Sequence, residues 1–229
     1  MAVQRFMEPI FTHDWDLSEA EALTLQQQLA SRVVKEDQLG NVQLVAGVDV
    51  AYDKHSDKLF AAVVILDAHT LCIVETATAE DVARFPYVPG LFSFRELPPI
   101  AKALAKLDQT PDMIVCDGQG IAHPRRFGLA CHLGVLYDIP TIGCGKTRLI
   151  GEAETPDIKR GAHAPLLDND EVIGAVLRTQ DNVNPVYVSI GHRVSLQTAS
   201  EWVLTLSPKY RLPETTRMAD QAVRKSLKA

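Results

Sequence analysis

Residues 45–53 read VAGVDVAYD, an apolar run that carries Asp49 in its middle. The valines on both sides are typical of a buried strand, and a carboxylate is costly in such a place unless something compensates its charge. A divalent metal ion held together with other acids would compensate it, whereas a backbone donor or an arginine is the alternative. The sequence therefore predicts a strand over 43–52 with a candidate metal ligand at its centre.

The composition around this stretch is that of a folded globular protein. Of the 229 residues, 46% are hydrophobic and 23% are charged, which excludes a disordered chain. The length suits one large domain or two small ones, and because no linker, repeat or low-complexity tract interrupts it, we expect a single domain over 1–229. The net charge of −6 disfavours a protein that coats DNA nonspecifically but leaves room for a local basic stripe.

No segment of the sequence has the character of a membrane anchor or a secretion signal. The longest apolar stretch, 60–66, is too short to cross a bilayer, and MAVQRFMEPIF lacks a basic segment followed by a long apolar one. We therefore expect a cytoplasmic protein with no membrane contact. The chain has four cysteines: Cys72, Cys116, Cys131 and Cys144. They lie far apart and form no CxxC pair, which favours free thiols over a metal or disulfide role.

Hydrophobic periodicity and capping signals predict a mixed α/β fold. The predicted strands are 43–52, 58–67, 70–80, 112–117 and 140–145, with a later hairpin formed by EVIGAVLRT and NPVYVSIG. The predicted helices are 18–38, 92–107, 126–137, one from Ser195 to about 206, and one that begins at Pro213. Three antiparallel strands followed by parallel ones predict a mixed β-sheet with helices on both faces. This order resembles the ribonuclease H-like fold, in which the first strand carries an aspartate and the fourth strand ends in another.

Three further acids are candidates to share a metal ion with Asp49. Asp117 ends a predicted strand and precedes GQG, where a sharp turn would point its carboxylate out of the sheet; a turn or capping role is the alternative. For Glu96 the alternative is a capping box with Ser93, and for Asp220 it is a solvated helix position. Because clustered carboxylates repel one another, a shared site would need Mg²⁺ or Mn²⁺, which are hard ions that prefer oxygen ligands.

Five sequence blocks, in order along the chain, resemble the signature motifs of the endonuclease V family. They are PYVPGLFSFRE (86–96), VCDGQGIAHPRRFG (115–128), TIGCGKTRL (141–149), GHRVSL (191–196) and YRLPETTRMAD (210–220). The resemblance implies Mg²⁺-dependent nicking of DNA at the second phosphodiester bond 3′ to deoxyinosine (hypoxanthine), with Mn²⁺ as a substitute ion and a 3′-hydroxyl and a 5′-phosphate as products. The family also acts more weakly on uracil, xanthine, abasic sites and mismatches, and some members cut inosine-containing RNA.

The resemblance also implies roles for individual residues. The implied metal ligands are Asp49, Glu96, Asp117 and, directly or through water, Asp220. Asp49 and Asp117 would be catalytic together with Lys146, which adds positive charge at the reacting phosphate. His123 would also act near this phosphate, and a core histidine is the alternative. Independently of the resemblance, we expect a local basic stripe that binds phosphate, formed with Lys146 by Arg125, Arg126 and Arg148.

The prolines in PYVP make the backbone stiff, and the resemblance implies that this segment is a wedge whose tyrosine stacks into the gap left by a displaced base. The wedge residues are Pro86, Tyr87, Val88 and Pro89. A stiff turn with a packed tyrosine is the alternative. Hypoxanthine presents O6 and N1–H where adenine presents N6–H₂ and N1, and the residues implied to read this difference through backbone groups are Gly90, Gly118, Gly120 and Leu149.

Three other functions remain open for the sequence. A ribonuclease H-type or resolvase-type nuclease would share the acids but has no use for PYVP. A catalytically silent nucleic-acid-binding module would not need the four acids together, and a metal phosphatase for small molecules would need neither a wedge nor a basic stripe. The choice between DNA and RNA as the main substrate is also open. We expect a monomer, because no additional interface segment is evident.

Overall fold

A computed structural model describes residues 7–228 of the chain. Within them, the chain forms eight strands and five helices. The strands are β1 (Leu44–Tyr52), β2 (Lys58–Asp67), β3 (Ile73–Val82), β4 (Met113–Cys116), β5 (Thr141–Gly145), β6 (His163–Asp168), β7 (Glu171–Leu177) and β8 (Val186–His192). The helices are α1 (Glu19–Ala30), α2 (Phe92–Leu104), α3 (Leu129–Tyr137), α4 (Leu196–Thr205) and α5 (Glu214–Ser226).

All these strands belong to one mixed sheet with the order β3-β2-β1-β4-β5-β8-β7-β6. β1, β2 and β3 pair antiparallel as predicted, because their short polar connections favour a meander. β4 runs parallel to both β1 and β5, and β5 pairs antiparallel with β8. The predicted mixed sheet of the ribonuclease H-like type, with helices on both faces, is confirmed.

Side chains alternate across β1, so its two faces meet different helices. Val45 belongs to the core cluster to which α5 contributes Ala219, and α5 lies so close to Gly47 that a Cβ there would clash with the Thr215 carbonyl. Ala46 belongs to the opposite cluster, to which α2 contributes Leu97, Ile100, Ala103 and Leu104. The alternation directs Asp49, like Val45 and Gly47, toward the α5 face.

The first helix is shorter than predicted, because its expected second half pairs with another part of the chain. α1 begins with the predicted capping box of Ser18 and Glu21 but ends at Ala30 rather than near 38. The Val34 amide donates to Nδ1 of His192 at 3.2 Å, and backbone bonds join this segment to residue 193. Helical hydrogen bonding is therefore replaced by a contact with the end of β8.

Two other differences follow from the backbone preferences of particular residues. α3 begins at Leu129 rather than at 126, because Arg126 has a left-handed φ of 56°, which a right-handed helix excludes. β6 was not predicted; it contains Pro165, which cannot donate to a neighbouring strand. β6 lies at the sheet's edge, the place in a sheet where proline is tolerated.

No helix within residues 7–228 has both the length and the apolar character that a membrane crossing requires. All four cysteines carry free thiols, of which Cys72 is exposed and the other three are buried. The buried cysteines belong to the two largest core clusters, where they act as small apolar side chains.

Candidate active site

Strand ends bring charged residues together at one edge of the sheet. β1, β4 and β5 are parallel neighbours, so the residues at their carboxyl ends lie close to one another. Asp49 follows the last β1 residue that pairs with β4, Asp117 directly follows β4, and Lys146 directly follows β5. The Lys146 ammonium forms an ion pair with Asp117. Asp220 approaches Asp49 from α5, which packs on β1.

The electrostatics of this edge are dominated by negative charge. The pKa of Asp49 is raised to about 7, first because its carboxyl is buried and then because Asp117 lies nearby. Lys146 lowers this pKa, and the charge of Asp220 raises it further. Burial lowers the pKa of Lys146, but the three aspartates around it outweigh that effect and raise the pKa overall. The positive charge of Lys146 therefore compensates the cluster only in part.

Glu96 approaches from α2 on the other side of the sheet. Its Oε1 accepts a hydrogen bond from the Tyr52 hydroxyl at 2.6 Å. The pKa of Glu96 is raised to about 7, mainly by burial; the Tyr52 bond lowers it and the charge of Asp117 raises it. The alternative capping box does not form, because Ser93 Oγ bonds instead to His132 Nδ1 at 2.9 Å. Tyr52 was not predicted as a site residue, although it lies in the same strand as Asp49.

We call Asp49, Glu96, Asp117 and Asp220 the carboxylate edge. Among residues 7–228, no three acidic, histidine or cysteine side chains converge closely enough to bind one metal ion as they stand. Asp117 is turned to Lys146, and Asp220 is turned to Arg224 at 2.8 Å. The donor set fits a hard divalent cation, because it consists of carboxylates whose mutual repulsion such an ion would relieve. The four acids are thus electrostatically coupled, and their metal ligation stays a prediction.

A cavity of about 240 Å³ opens beside the carboxylate edge. The predicted site residues in its wall are Gly90, Glu96, Asp117, Gly118, His123, Arg148 and Leu149. Gly120 is not among the wall residues: its N–H donates to Ser189 Oγ at 2.8 Å and its carbonyl accepts from the Gly128 N–H at 3.0 Å. Both polar backbone groups of Gly120 are therefore used inside the fold, and this placement does not support its predicted contact with a base.

The wedge loop, residues 86–89, lies immediately before the cavity wall in sequence. Tyr87 has 67% of its surface exposed, and its ring centroid lies 4.8 Å from that of Phe92, which is a wall residue. Leu149, on another side of the cavity, is 44% exposed. Both apolar surfaces are therefore free to contact a ligand at the cavity.

The Gly90 turn follows the wedge loop and is held by three side chains. Gly90 has a left-handed φ of 81°, and a Cβ there would lie 2.7 Å from Nη2 of Arg125. Its carbonyl accepts hydrogen bonds from Gln26 Nε2 at 3.0 Å, His123 Nε2 at 3.0 Å and Arg125 Nη2 at 2.9 Å. Three donors saturate this oxygen, so the Gly90 carbonyl is not available to read a base.

His123 is a buried part of this turn. Its Nε2 donates to Gly90, and its Nδ1 accepts the Arg125 N–H at 3.2 Å, an arrangement that requires the neutral ring. Burial, and then the charge of Arg125, lowers the pKa of His123 to about 4. With both ring nitrogens occupied, His123 stabilises the cavity wall, and its predicted action at the phosphate stays a prediction.

The arginines predicted to bind phosphate do not form one stripe. Arg148 is exposed in the cavity wall, whereas Arg125 is directed to the Gly90 turn. Arg126 lies apart from the cavity, because it forms ion pairs of 2.8 Å with both Asp168 and Glu171 of the β6–β7 hairpin. The positive charge of Arg126 is thus compensated within the protein, which does not support its predicted contact with DNA.

The loop that carries Lys146 is fixed by residues that the sequence did not single out. Arg211 Nη2 donates to the Lys146 carbonyl at 2.6 Å, and Gln119 Nε2 donates to the Thr147 carbonyl at 3.0 Å. Arg211 belongs to the block YRLPETTRMAD, so its place in that motif was the available signal. These contacts fix the backbone from which Lys146 reaches Asp117.

Comparison with known proteins connects this site to a family. The endonuclease V family model matches residues 27–221. Endonuclease V of Nostoc sp. is 52% identical over 91% of this chain and 95% of its own length. The crystal structure of endonuclease V from Streptomyces avermitilis has a TM-score of 0.90 at 50% identity, covering 93% of this chain and 95% of that one.

A more distant relative was solved with a nucleic acid. Endonuclease V of Ciona intestinalis, in complex with a DNA that contains an inosine followed by a ribo-adenosine, has a TM-score of 0.80 at 29% identity. The similarity covers 91% of this chain and 97% of that one. Residues 27–221, which the family model matches, include the carboxylate edge, the wedge loop and all of the cavity wall except Gln26, and the chain therefore belongs to the endonuclease V family.

Proposed function

We propose that this chain is a DNA-repair endonuclease that nicks a strand at the second phosphodiester bond 3′ to deoxyinosine, leaving a 3′-hydroxyl and a 5′-phosphate. The observation that carries the proposal is a cavity with acids in its wall directly beside an exposed, proline-rich wedge loop. Family membership and the inosine-containing DNA bound by the Ciona intestinalis relative support the same substrate.

The carboxylate edge is the proposed site of Mg²⁺, for which Mn²⁺ would substitute. When bound there, the metal would supply water activation and compensate the charge that develops on the departing 3′ oxygen. Asp49, Glu96 and Asp117 supply oxygen ligands, and Asp220 contributes directly or through water. Tyr52 orients Glu96 through the 2.6 Å hydrogen bond. Lys146 adds positive charge where negative charge develops on the reacting phosphate.

Recognition is assigned to the wedge loop and the cavity. Pro86 and Pro89 keep the loop stiff, so that the ring of Tyr87 fills the gap left by a displaced base. The base enters the cavity, where Gly118 and Leu149 are the remaining candidates to read O6 and N1–H of hypoxanthine. Uracil, xanthine, abasic sites and mismatches would be weaker substrates. We further infer a single cytoplasmic domain over 1–229 that works as a monomer, with inosine-containing RNA as a second substrate.

The deciding experiment compares labelled DNA and RNA oligonucleotides with and without one inosine, incubated with the protein and Mg²⁺. We expect one cut, at the second bond 3′ to inosine, and no cut in matched strands that lack it. Equal cutting of an RNA–DNA hybrid without inosine would identify a ribonuclease H-type enzyme. Binding without cutting would identify a silent module, and hydrolysis of small phosphate esters alone would identify a phosphatase.

A further inference from the structure

A buried glutamine interrupts the apolar face of α1. The buried residues of this helix are Ala22, Gln26 and Leu29, and only 1% of the surface of Gln26 is exposed. An amide in such a place is unfavourable unless its donors and acceptor find partners. Its neighbour Gln27 is exposed on the same helix, so the helix itself does not require a glutamine at the buried position.

The amide of Gln26 joins three segments that are far apart in sequence. Nε2 donates to the Gly90 carbonyl at 3.0 Å and to the Phe127 carbonyl at 2.8 Å, and Oε1 accepts from Arg125 Nε. These partners lie 64, 101 and 99 residues from Gln26 along the chain. Both hydrogens of the amide and its oxygen are therefore used.

The Gly90 turn links the wedge loop to α2. Gly90 directly follows Pro89 of the wedge loop and directly precedes Leu91, the N-cap of α2, which carries Glu96. The left-handed φ of Gly90 disfavours any other residue, and a Cβ there, 2.7 Å from Arg125 Nη2, would also displace the Arg125 side chain. A displacement of this turn would therefore move the wedge loop, whereas α2 and Glu96 stay anchored by the buried residues of the helix.

We propose that Gln26 is a positioning residue for lesion recognition. It holds the Gly90 carbonyl and at the same time orients Arg125, the second donor to that carbonyl. These contacts hold the turn that directly follows the wedge loop, and they thereby position Tyr87 for its proposed stacking in the gap left by a displaced base. The inference rests on the proposed function, since it assigns a purpose to this contact only if the chain recognises inosine.

The test compares Gln26→Met, which keeps the length of the side chain but removes the hydrogen bonds, with the matched control Gln27→Met. Affinity for paired inosine is measured in Ca²⁺, and the maximal single-turnover rate is measured in Mg²⁺. We expect Gln26→Met to raise the Kd for inosine DNA about tenfold, as one or two lost hydrogen bonds would do. Its Kd for control DNA and its maximal rate should change less than about twofold, and Gln27→Met should match the wild type.

A purely structural role would give a different result. It would lower the active fraction and the melting temperature but leave the ratio of inosine to control affinity unchanged in the folded molecules. Gln26→Glu provides a second variant, because it keeps the acceptor for Arg125 and removes the donors to Gly90 and Phe127. The same loss of discrimination is expected for it, and it decides the case if Gln26→Met does not fold.

The outcomes separate the inference from the proposed function. A wild-type protein that binds and cuts inosine DNA no better than control DNA would overturn the proposed function itself. If the wild type discriminates and both Gln26 variants discriminate equally well, Gln26 is not a positioning residue. Failure of both variants to fold would also overturn the inference, because Gln26 would then be needed for the fold.

Discussion

The carboxylate edge and the Gly90 turn lie beside the same cavity, but their polar groups are satisfied to different degrees. At the edge, burial and mutual repulsion raise the pKa of Asp49 and Glu96 to about 7, with Lys146 as a partial counter-charge. At the turn, one carbonyl oxygen accepts from three side chains. Under the proposed function the edge would be completed by a cation from outside the chain, whereas the turn is organised by the protein alone.

This difference separates the expected effects of mutation. A change at the carboxylate edge would remove a proposed metal ligand, so it should act on the rate. A change at the wedge loop or the Gly90 turn alters a preformed shape, so it should act on binding. Experiments that measure the cleavage rate and the affinity separately test whether this division holds.

The largest effect is expected at Asp49 and Asp117. Replacement of either by alanine should lower single-turnover cleavage by about a thousandfold or more, because it would remove a proposed metal ligand from the reacting centre. Lesion binding in Ca²⁺ should persist, since phosphates and the cavity supply most of its energy. Asp57→Ala, at an exposed aspartate in the turn after β1, is the matched control. Cleavage at a near wild-type rate by either site variant would contradict the proposal that the carboxylate edge holds the metal.

Metal exchange provides an independent check of the same edge. Mg²⁺ and Mn²⁺ should support cutting, whereas Ca²⁺ should support binding alone, because its looser coordination positions water poorly. A chelator should abolish cleavage and leave the fold intact, as judged by circular dichroism. Full activity in the presence of excess chelator would show that the carboxylate edge works without a metal.

Much of this edge could be predicted from the sequence, because short-range signals position it. The apolar run around Asp49 and the turn after Asp117 are local patterns, and strand order then brings them together. The contacts of the Gly90 turn have no such signal: Gln26 meets it across 64 residues. The pairing of Arg126 with Asp168, 42 residues away, likewise depends on β6. This strand could not be predicted from the sequence, because it contains a proline, which is unusual in strands.

Replacement of Lys146 could change both the cleavage rate and the affinity for DNA. Lys146→Ala should lower the maximal rate about a hundredfold, as the loss of one group that stabilises developing charge does elsewhere, and it should raise the Kd much less. Lys54→Ala, at an exposed lysine away from the cavity wall, is the control. A binding defect larger than the rate defect would assign Lys146 to DNA binding and weaken the division between edge and turn.

Replacement of Tyr87 tests whether the wedge loop acts on binding. Aromatic stacking on a base contributes roughly 1–3 kcal/mol, so Tyr87→Ala should weaken binding to paired inosine by roughly ten- to a hundredfold. Tyr87→Phe should retain most of the affinity, because the ring and not the hydroxyl fills the gap. The loss should be smaller for inosine in a single strand, where opening costs less. Equal losses on paired and unpaired inosine, measured in Ca²⁺, would mean that Tyr87 only supports the loop.

The smallest effect is expected from replacing Arg148 or Arg126, two arginines that the sequence predicts to bind phosphate. Arg148 is exposed at the cavity, and no ion pair within residues 7–228 involves it, whereas Arg126 is paired with Asp168 and Glu171. Each phosphate contact contributes about one unit to the slope of log affinity against log salt. Arg148→Ala should therefore reduce this slope by about one unit for inosine and control DNA alike. Arg126→Ala should leave the slope unchanged and lower the melting temperature, because it removes the ion-pair partner of Asp168 and leaves Glu171 with Lys35 alone. The opposite pattern would place the DNA path along that hairpin instead of along the cavity.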